Sequence, residues 1–215
     1  MKQNIAASTM ALLMSLILAT STAYSKPTEG EGRVDQNDRT AKVEIKSIDE
    51  VGRELAIKGA KGLQKILDKA IDEKLITIDD LFDENYVLIS PSPPLKFRTR
   101  FDSFLDKSIQ SFEDSILTSD LRTDFAIAVD RNGYLPTHNS KFSKPLTGDP
   151  ETDFANNRGK RFFNDKLGMA AAKNQGEVLV QCYERDNGQK LCDFAAPILV
   201  KGKHWGAFRV GMRRE

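Results

Sequence analysis

Cysteine and histidine are scarce in this 215-residue chain, with two of each: Cys182 and Cys192 lie ten apart, and His138 is far from His204. No CxxC, HExxH or other compact metal-ligand spacing can be written from so few, so no metal is expected. GxSxG, the P-loop pattern and GxGxxG are missing too, which removes the usual nucleophile, nucleotide and dinucleotide signatures. Neither a reaction nor a cofactor is expected. An excess of one charge is also lacking: 32 Lys and Arg stand against 31 Asp and Glu, a net charge of +1. That balance leaves no electrostatic footprint for nucleic acid and excludes DNA and RNA as partners. Beyond the first 25 residues there is no apolar run long enough to span a bilayer.

The remaining composition, 40% hydrophobic and 29% charged, is that of a folded globular chain. Met1 to Ser25 carries Lys2, an apolar run from Ile5 to Ala19 and a small-residue exit at Ala23-Tyr24-Ser25. This is the layout of a cleaved secretory signal peptide, with an uncleaved membrane anchor as the alternative. Residues 26–39 contain Pro27, Gly30 and Gly32 and read as a flexible leader. A single domain is expected over residues 40–215. From about Thr40 to Leu75 apolar residues recur at helical spacing. Gly52, Gly59 and Gly62 weaken that helix by about 1 kcal/mol each relative to Ala, which implies a bend or a close backbone neighbour. Its role is to pack on a sheet or, as a second reading, to form a homodimer. Thr77 with Asp80 forms a variant capping box, and Phe97 to Ile116 predicts a second amphipathic helix with an aromatic stripe. Two further helices are expected, at Thr152 to Phe163 and Leu167 to Asn174.

The centre of the chain is Val129 to Asn139. Phe125, Ile127 and Val129 alternate with Ala126, Ala128 and Asp130, and Asn132-Gly133 suits a hairpin turn. A three-residue loop at Arg131 to Gly133 sets Asp130 opposite Tyr134 and Ala126 opposite His138. The small face of Ala126 and Ala128, beside Tyr134 and His138, then leaves room for a ligand; an ordinary hairpin explains the same pattern. Three more strands follow at Val178 to Glu184, Lys190 to Val200 and His204 to Met212, joined by Asp186-Asn187-Gly188 and Lys201-Gly202-Lys203. Centring both turns sets Cys182 opposite Cys192, Val180 and Val210 opposite Phe194, and Ala196 opposite Phe208, all on one apolar face. The reverse face receives Gln181, Tyr183, Asp193, Trp205 and Arg209.

Opposed cysteines in an exported hairpin point to a disulfide, or else to two buried thiols. Arg158 and Arg161, three apart on an expected helix, are either surface charge or a clamp for a carboxylate. Arg209 must find water, Asp193 or a ligand anion, because an unpaired buried charge is costly.

Taken together, Val129-Asp130-Arg131-Asn132-Gly133-Tyr134-Leu135-Pro136-Thr137-His138-Asn139, Pro145 to Pro150, Asn157-Arg158 with Lys160-Arg161, Asp79 to Asp83 and His204 to Gly211 resemble the periplasmic sensory domain of bacterial methyl-accepting chemotaxis proteins. The resemblance covers residues 40 to 212. It implies an α+β, PAS-like (Cache-type) fold: a five-stranded antiparallel sheet with a long N-terminal helix. Such receptors continue into a transmembrane helix and a signalling rod, whereas this sequence stops at Glu215. The CxxCH of haem-binding relatives is missing, so haem is not carried over. The expectation is a periplasmic protein that binds a small polar or anionic ligand through Tyr134, His138, Arg158, Arg161, Tyr183, Trp205 and Arg209. A membrane receptor or kinase would be its partner. The rival is a dimerising adaptor whose pocket is filled by its own side chains, which a tight, dry space over Ala126 and Ala128 would favour.

Overall fold

The computed structural model describes residues 46–90, 92–185 and 188–214. The expected signal segment, the leader and the Asp186-Asn187 turn centre lie outside the described residues. The Ser47 hydroxyl accepts from the Glu50 N–H at 3.2 Å, and the Glu50 carboxylate accepts from the Ser47 N–H at 2.9 Å. This full capping box starts α1, Ile48–Asp72. Its buried stripe runs through Leu55, Ala56, Ala60, Leu63 and Leu67. The helix does not break at its glycines, and no backbone closes on them. Instead Gly52 and Gly59 sit against the rings of Phe194 and Phe208, where a Cβ would come within 2.4 and 2.2 Å. Helix-on-sheet packing is therefore so close that only glycine fits under two aromatic rings.

The Thr77 hydroxyl caps α2, Ile78–Leu81, by accepting from the Asp80 N–H at 3.0 Å. A short hairpin follows, β1 (Val87–Ser90) and β2 (Lys96–Arg98), in place of the expected extended connection. The second amphipathic helix is two pieces, α3 (Asp102–Ser108) and α4 (Gln110–Leu117), meeting at Ile109. Next come β3 (Thr123–Asp130), the two-residue β4 (Tyr134–Leu135), α5 (Pro150–Asn156), β5 (Arg161–Phe162), α6 (Lys166–Ala172), β6 (Leu179–Glu184), β7 (Lys190–Val200) and β8 (Lys203–Arg213). All described residues fall within one unit, Glu44–Glu215. No helix among them is long and apolar enough to cross a membrane.

The main sheet is antiparallel with order β3-β8-β7-β6, which makes the fold α+β but gives four strands rather than five. The expected fifth strand, Tyr134 onward, does not ladder onto β3. Tyr134–Leu135 pairs with Arg161–Phe162 instead, so Ala126 does not face His138. The physical reason lies on the free edge of β3, whose amides are already taken by side chains. The Ala126 N–H donates to Asn139 Oδ1 and the Ala128 N–H to Glu113 Oε1, both at 2.9 Å. Edge donors satisfied this way no longer need a partner strand.

Glu113 is fully buried and its second carboxyl oxygen has no partner. Burial holds its pKa well above the usual value of 4.5, so the folded state keeps the proton over a pH range where the unfolded chain releases it. The folded state then binds more protons, and Glu113 lowers stability as pH rises from about 4.5 toward its folded pKa. The limiting slope is about 1.4 kcal/mol per pH unit. Urea denaturation from pH 4.5 to 7.5 should show Glu113→Gln losing that decline relative to the parent. Parallel curves for the two proteins would refute the assignment.

The pairings expected from the turns are present: Cys182 opposite Cys192, Val180 opposite Phe194, Phe194 opposite Val210 and Ala196 opposite Phe208. Cys182 and Cys192 are joined as a disulfide. Trp205 departs from the expected face. Lys201 and Gly202 both have positive φ and make a two-residue turn that sets Val200 opposite Lys203. The register then shifts so that Ile198 faces Gly206, leaving Trp205 as an extra residue. A two-residue turn plus one bulged residue gives the same offset as a three-residue loop, so every pair farther along is unchanged. The bulge turns Trp205 over to the helix-covered face. There its Nε1 donates to the Leu81 carbonyl at 2.9 Å and its ring packs edge-on against Phe101.

Candidate functional site

Register fixes which sheet face is free. Ala126 pairs with Val210 and Ala128 with Phe208, which puts these alanines on the apolar face with α1 and α4, inside the main core. The space expected over them is filled: small side chains there admit helices. Phe125, Ile127 and Arg209 point the other way, where α6 and the chain before it cover only part of the sheet with a smaller core of Phe125, Ile127, Ala171, Ala172 and Ala195. Beside that cover lies a cavity of about 200 Å³ bounded by Phe125, Ile127, His138, Arg158, Phe163, Asp165, Leu167, Tyr183, Arg185 and Arg209. At about 30 Å³ per liquid water, it has room for roughly seven waters or an organic molecule of that bulk.

Three guanidinium groups border this cavity, and they differ in how they are neutralised. Arg209 Nε lies 3.0 Å from Asp193 Oδ2, and its Nη2 bonds the same oxygen. Arg185 pairs with Asp124 at 2.9 Å. Arg158 has no carboxylate in ion-pair reach among the described residues; its guanidinium lies over the rings of Phe142 and Phe163, 5.5 Å from each centroid. Burial, with Arg185 nearby, pulls the Arg158 pKa below its ordinary value, as expected for a cation short of compensating charge. His138 is 2% exposed, and its Nδ1 has no hydrogen-bond partner. Burial, then the charge of Arg158, pushes its pKa well below 6.5, so the imidazole is neutral near pH 7. Burial raises the Tyr183 phenol above 10, leaving a neutral hydroxyl at the rim. A cation, an imidazole and a phenol converging over two phenylalanines suit a small organic anion with an apolar part.

Of the residues expected from sequence, His138, Arg158, Tyr183 and Arg209 come together here. Tyr134 and Trp205 do not: both are in the main core, and the Tyr134 hydroxyl lies 2.8 Å from Asp102 Oδ2. Arg158 and Arg161 do not share a helix, because α5 stops at Asn156 and Lys160 has a positive φ before β5 begins. Arg161 Nη1 donates to the Phe154 carbonyl and its guanidinium stacks on the Phe154 ring, outside the cavity lining. Arg185, Phe163 and Asp165 were missed. Arg185 follows Tyr183 at the alternation of β6 and was within reach of that pattern; Phe163 and Asp165 come from the tertiary path between β5 and α6.

No family model and no curated protein matches the chain. A larger, open groove of about 720 Å³ is lined by Ile78, Phe82, Arg131, Lys173, Lys203 and His204 among others. Its one tied cation, Arg131, is neutralised by Glu84, and its two lysines stand at an open surface where water solvates them. The smaller cavity, with a half-buried cation that has no carboxylate among the described residues, is the stronger candidate.

Proposed function

We propose that this protein is an exported small-molecule sensor of the PAS-like, Cache type, binding a small organic carboxylate against Arg158 and passing the binding state to a membrane receptor or kinase. Support comes from the segments that resemble chemoreceptor sensory domains and from an antiparallel sheet carrying a long N-terminal-side helix on one face. The observation that carries the reading is Arg158, a half-buried guanidinium with no carboxylate partner among the described residues, which borders a cavity of ligand size together with His138. A bound carboxylate supplies the missing charge, with Tyr183 at the rim and Phe125 and Phe163 against its carbon skeleton.

Acetate, glycolate, succinate and benzoate, tested by thermal shift and then calorimetry, check this directly. A ligand at 100 times its Kd should stabilise the protein by about 2.7 kcal/mol. Arg158→Ala should weaken that binding by at least about thirtyfold, while unliganded stability falls by only about 1 kcal/mol through the lost contacts with Phe142 and Phe163, since no ion pair is broken. If none of the four binds, or the variant binds as well as the parent, the reading fails. A second reading is an adaptor without a ligand, favoured by the filled space over Ala126 and Ala128; it predicts no shift with any carboxylate.

A further inference from the structure

Among the described residues the guanidinium of Arg158 makes no hydrogen bond, so its position depends on its contacts with the Phe142 and Phe163 rings and on the backbone that carries it. That backbone, Asn157 to Lys160, belongs to neither α5 nor β5; it forms an isolated bridge between Asn157 and Ser143, and the Arg158 N–H donates to the Phe142 carbonyl and the Lys160 N–H to the Leu135 carbonyl, both at 2.8 Å. The ties to the residues on either side of Arg158 include a group from β2. Lys96 Nζ lies 2.5 Å from Asn157 Oδ1, 2.7 Å from the Gly159 carbonyl and 3.1 Å from the Asn157 carbonyl. Next to it, the Phe97 N–H donates to the Lys160 carbonyl at 2.9 Å. Lys96 is 6% exposed and forms no ion pair among the described residues; its three oxygens flank Arg158 on both sides.

Building on the carboxylate site above, we propose that Lys96 is the positioning residue for Arg158: its ammonium ties the two residues flanking Arg158 and thereby fixes the guanidinium at the cavity. The stoichiometry is close. An ammonium has three hydrogens for three acceptors, whereas a neutral amine has two and forms weaker bonds. The groups acting on Lys96 are Arg161 and Lys160 from the β5 segment and Asp153 from α5. Burial first, then those two cations, brings Lys96 down to about 8. Raising the pH through that value removes one hydrogen from the clamp without touching Arg158.

Lys96→Met in the full chain tests this with two readouts. Without ligand, amide hydrogen exchange at Arg158 and Lys160 should quicken at least tenfold, with Phe194 in β7 unchanged. With benzoate as probe, parental affinity should fall severalfold between pH 7 and 9.5, while the variant binds weakly and without that pH dependence. Unchanged exchange at Arg158 and Lys160 overturns the proposal, and so does equal benzoate affinity of parent and variant across the pH range. If benzoate and the other carboxylates fail to bind the parent, the carboxylate reading falls, and the exchange arm alone decides whether Lys96 fixes Arg158. Should Lys96→Met not fold, Asn157→Ala, which removes the nearest acceptor, and the parental pH profile give the same decision.

Discussion

Asp193→Ala should lose about 3 to 5 kcal/mol of stability, one of the two largest effects expected of a single substitution in this chain. Asp193 on β7 and Arg209 on β8 meet diagonally, Asp193 lying opposite Gly211 and Arg209 opposite Ala195, with side chains 1% and 8% exposed. Burial alone would pull the Arg209 pKa down; the Asp193 carboxylate beside it raises it above its ordinary value. Removing the carboxylate leaves a mostly buried guanidinium without its counter-charge and unable to give up its proton. Arg209→Ala should cost less, because an orphaned carboxyl can take up a proton and become neutral. Replacing both, Asp193→Leu with Arg209→Met, should return the protein to near parental stability, since a buried pair exchanged for packed apolar groups is often neutral or better. Urea denaturation of the three variants checks the ordering. An Asp193→Ala protein within 1 kcal/mol of the parent would show that the pair is not carrying the buried charge. This ordering also separates the two roles open to Arg209: its charge is met by Asp193, and in the proposed site the anion is assigned to Arg158.

Trp205→Ala should be nearly as damaging, at about 3 to 5 kcal/mol, and for a different reason. The indole is 2% exposed, lies edge-on to Phe101 and donates its Nε1–H to the Leu81 carbonyl. Truncation leaves a cavity between α2, α3 and the sheet and strips that carbonyl of its partner. Because the bulge directs Trp205 to the helix face, the folded fraction of the variant should bind benzoate with parental affinity. Thermal melts combined with calorimetry below the transition give both quantities. Loss of benzoate binding in a variant of parental stability would return Trp205 to the cavity side of the sheet and contradict the bulge.

Much of the C-terminal sheet was written locally. Asn, Gly and Lys at the turns, with alternation along each strand, placed Cys182 opposite Cys192 and Phe194 opposite Val210, because pairing register depends on a few turn residues and on period-two burial. The Thr77 cap and the shared face of Asp193, Tyr183 and Arg209 follow from the same short-range rules. Trp205 shows where those rules stop: a two-residue turn with a bulge and a three-residue loop give one offset, and only packing against Leu81 and Phe101 decides which face the indole takes. The roominess of Ala126 and Ala128 was equally undecidable, since small residues admit a helix as readily as a ligand, and what arrives is set by α1 and α4 from distant sequence. Arg158 and Arg161 separate because Lys160 takes a positive φ and β5 pairs with β4, so one guanidinium enters the cavity and the other stacks on Phe154. The sequence by itself determined the three C-terminal strands, their pairing offsets beyond the bulge and the places of Gln181, Tyr183, Asp193 and Arg209 on one sheet face. Only the tertiary structure decided which face stays open and which arginine goes without a carboxylate, because both depend on groups brought together from segments far apart in the chain.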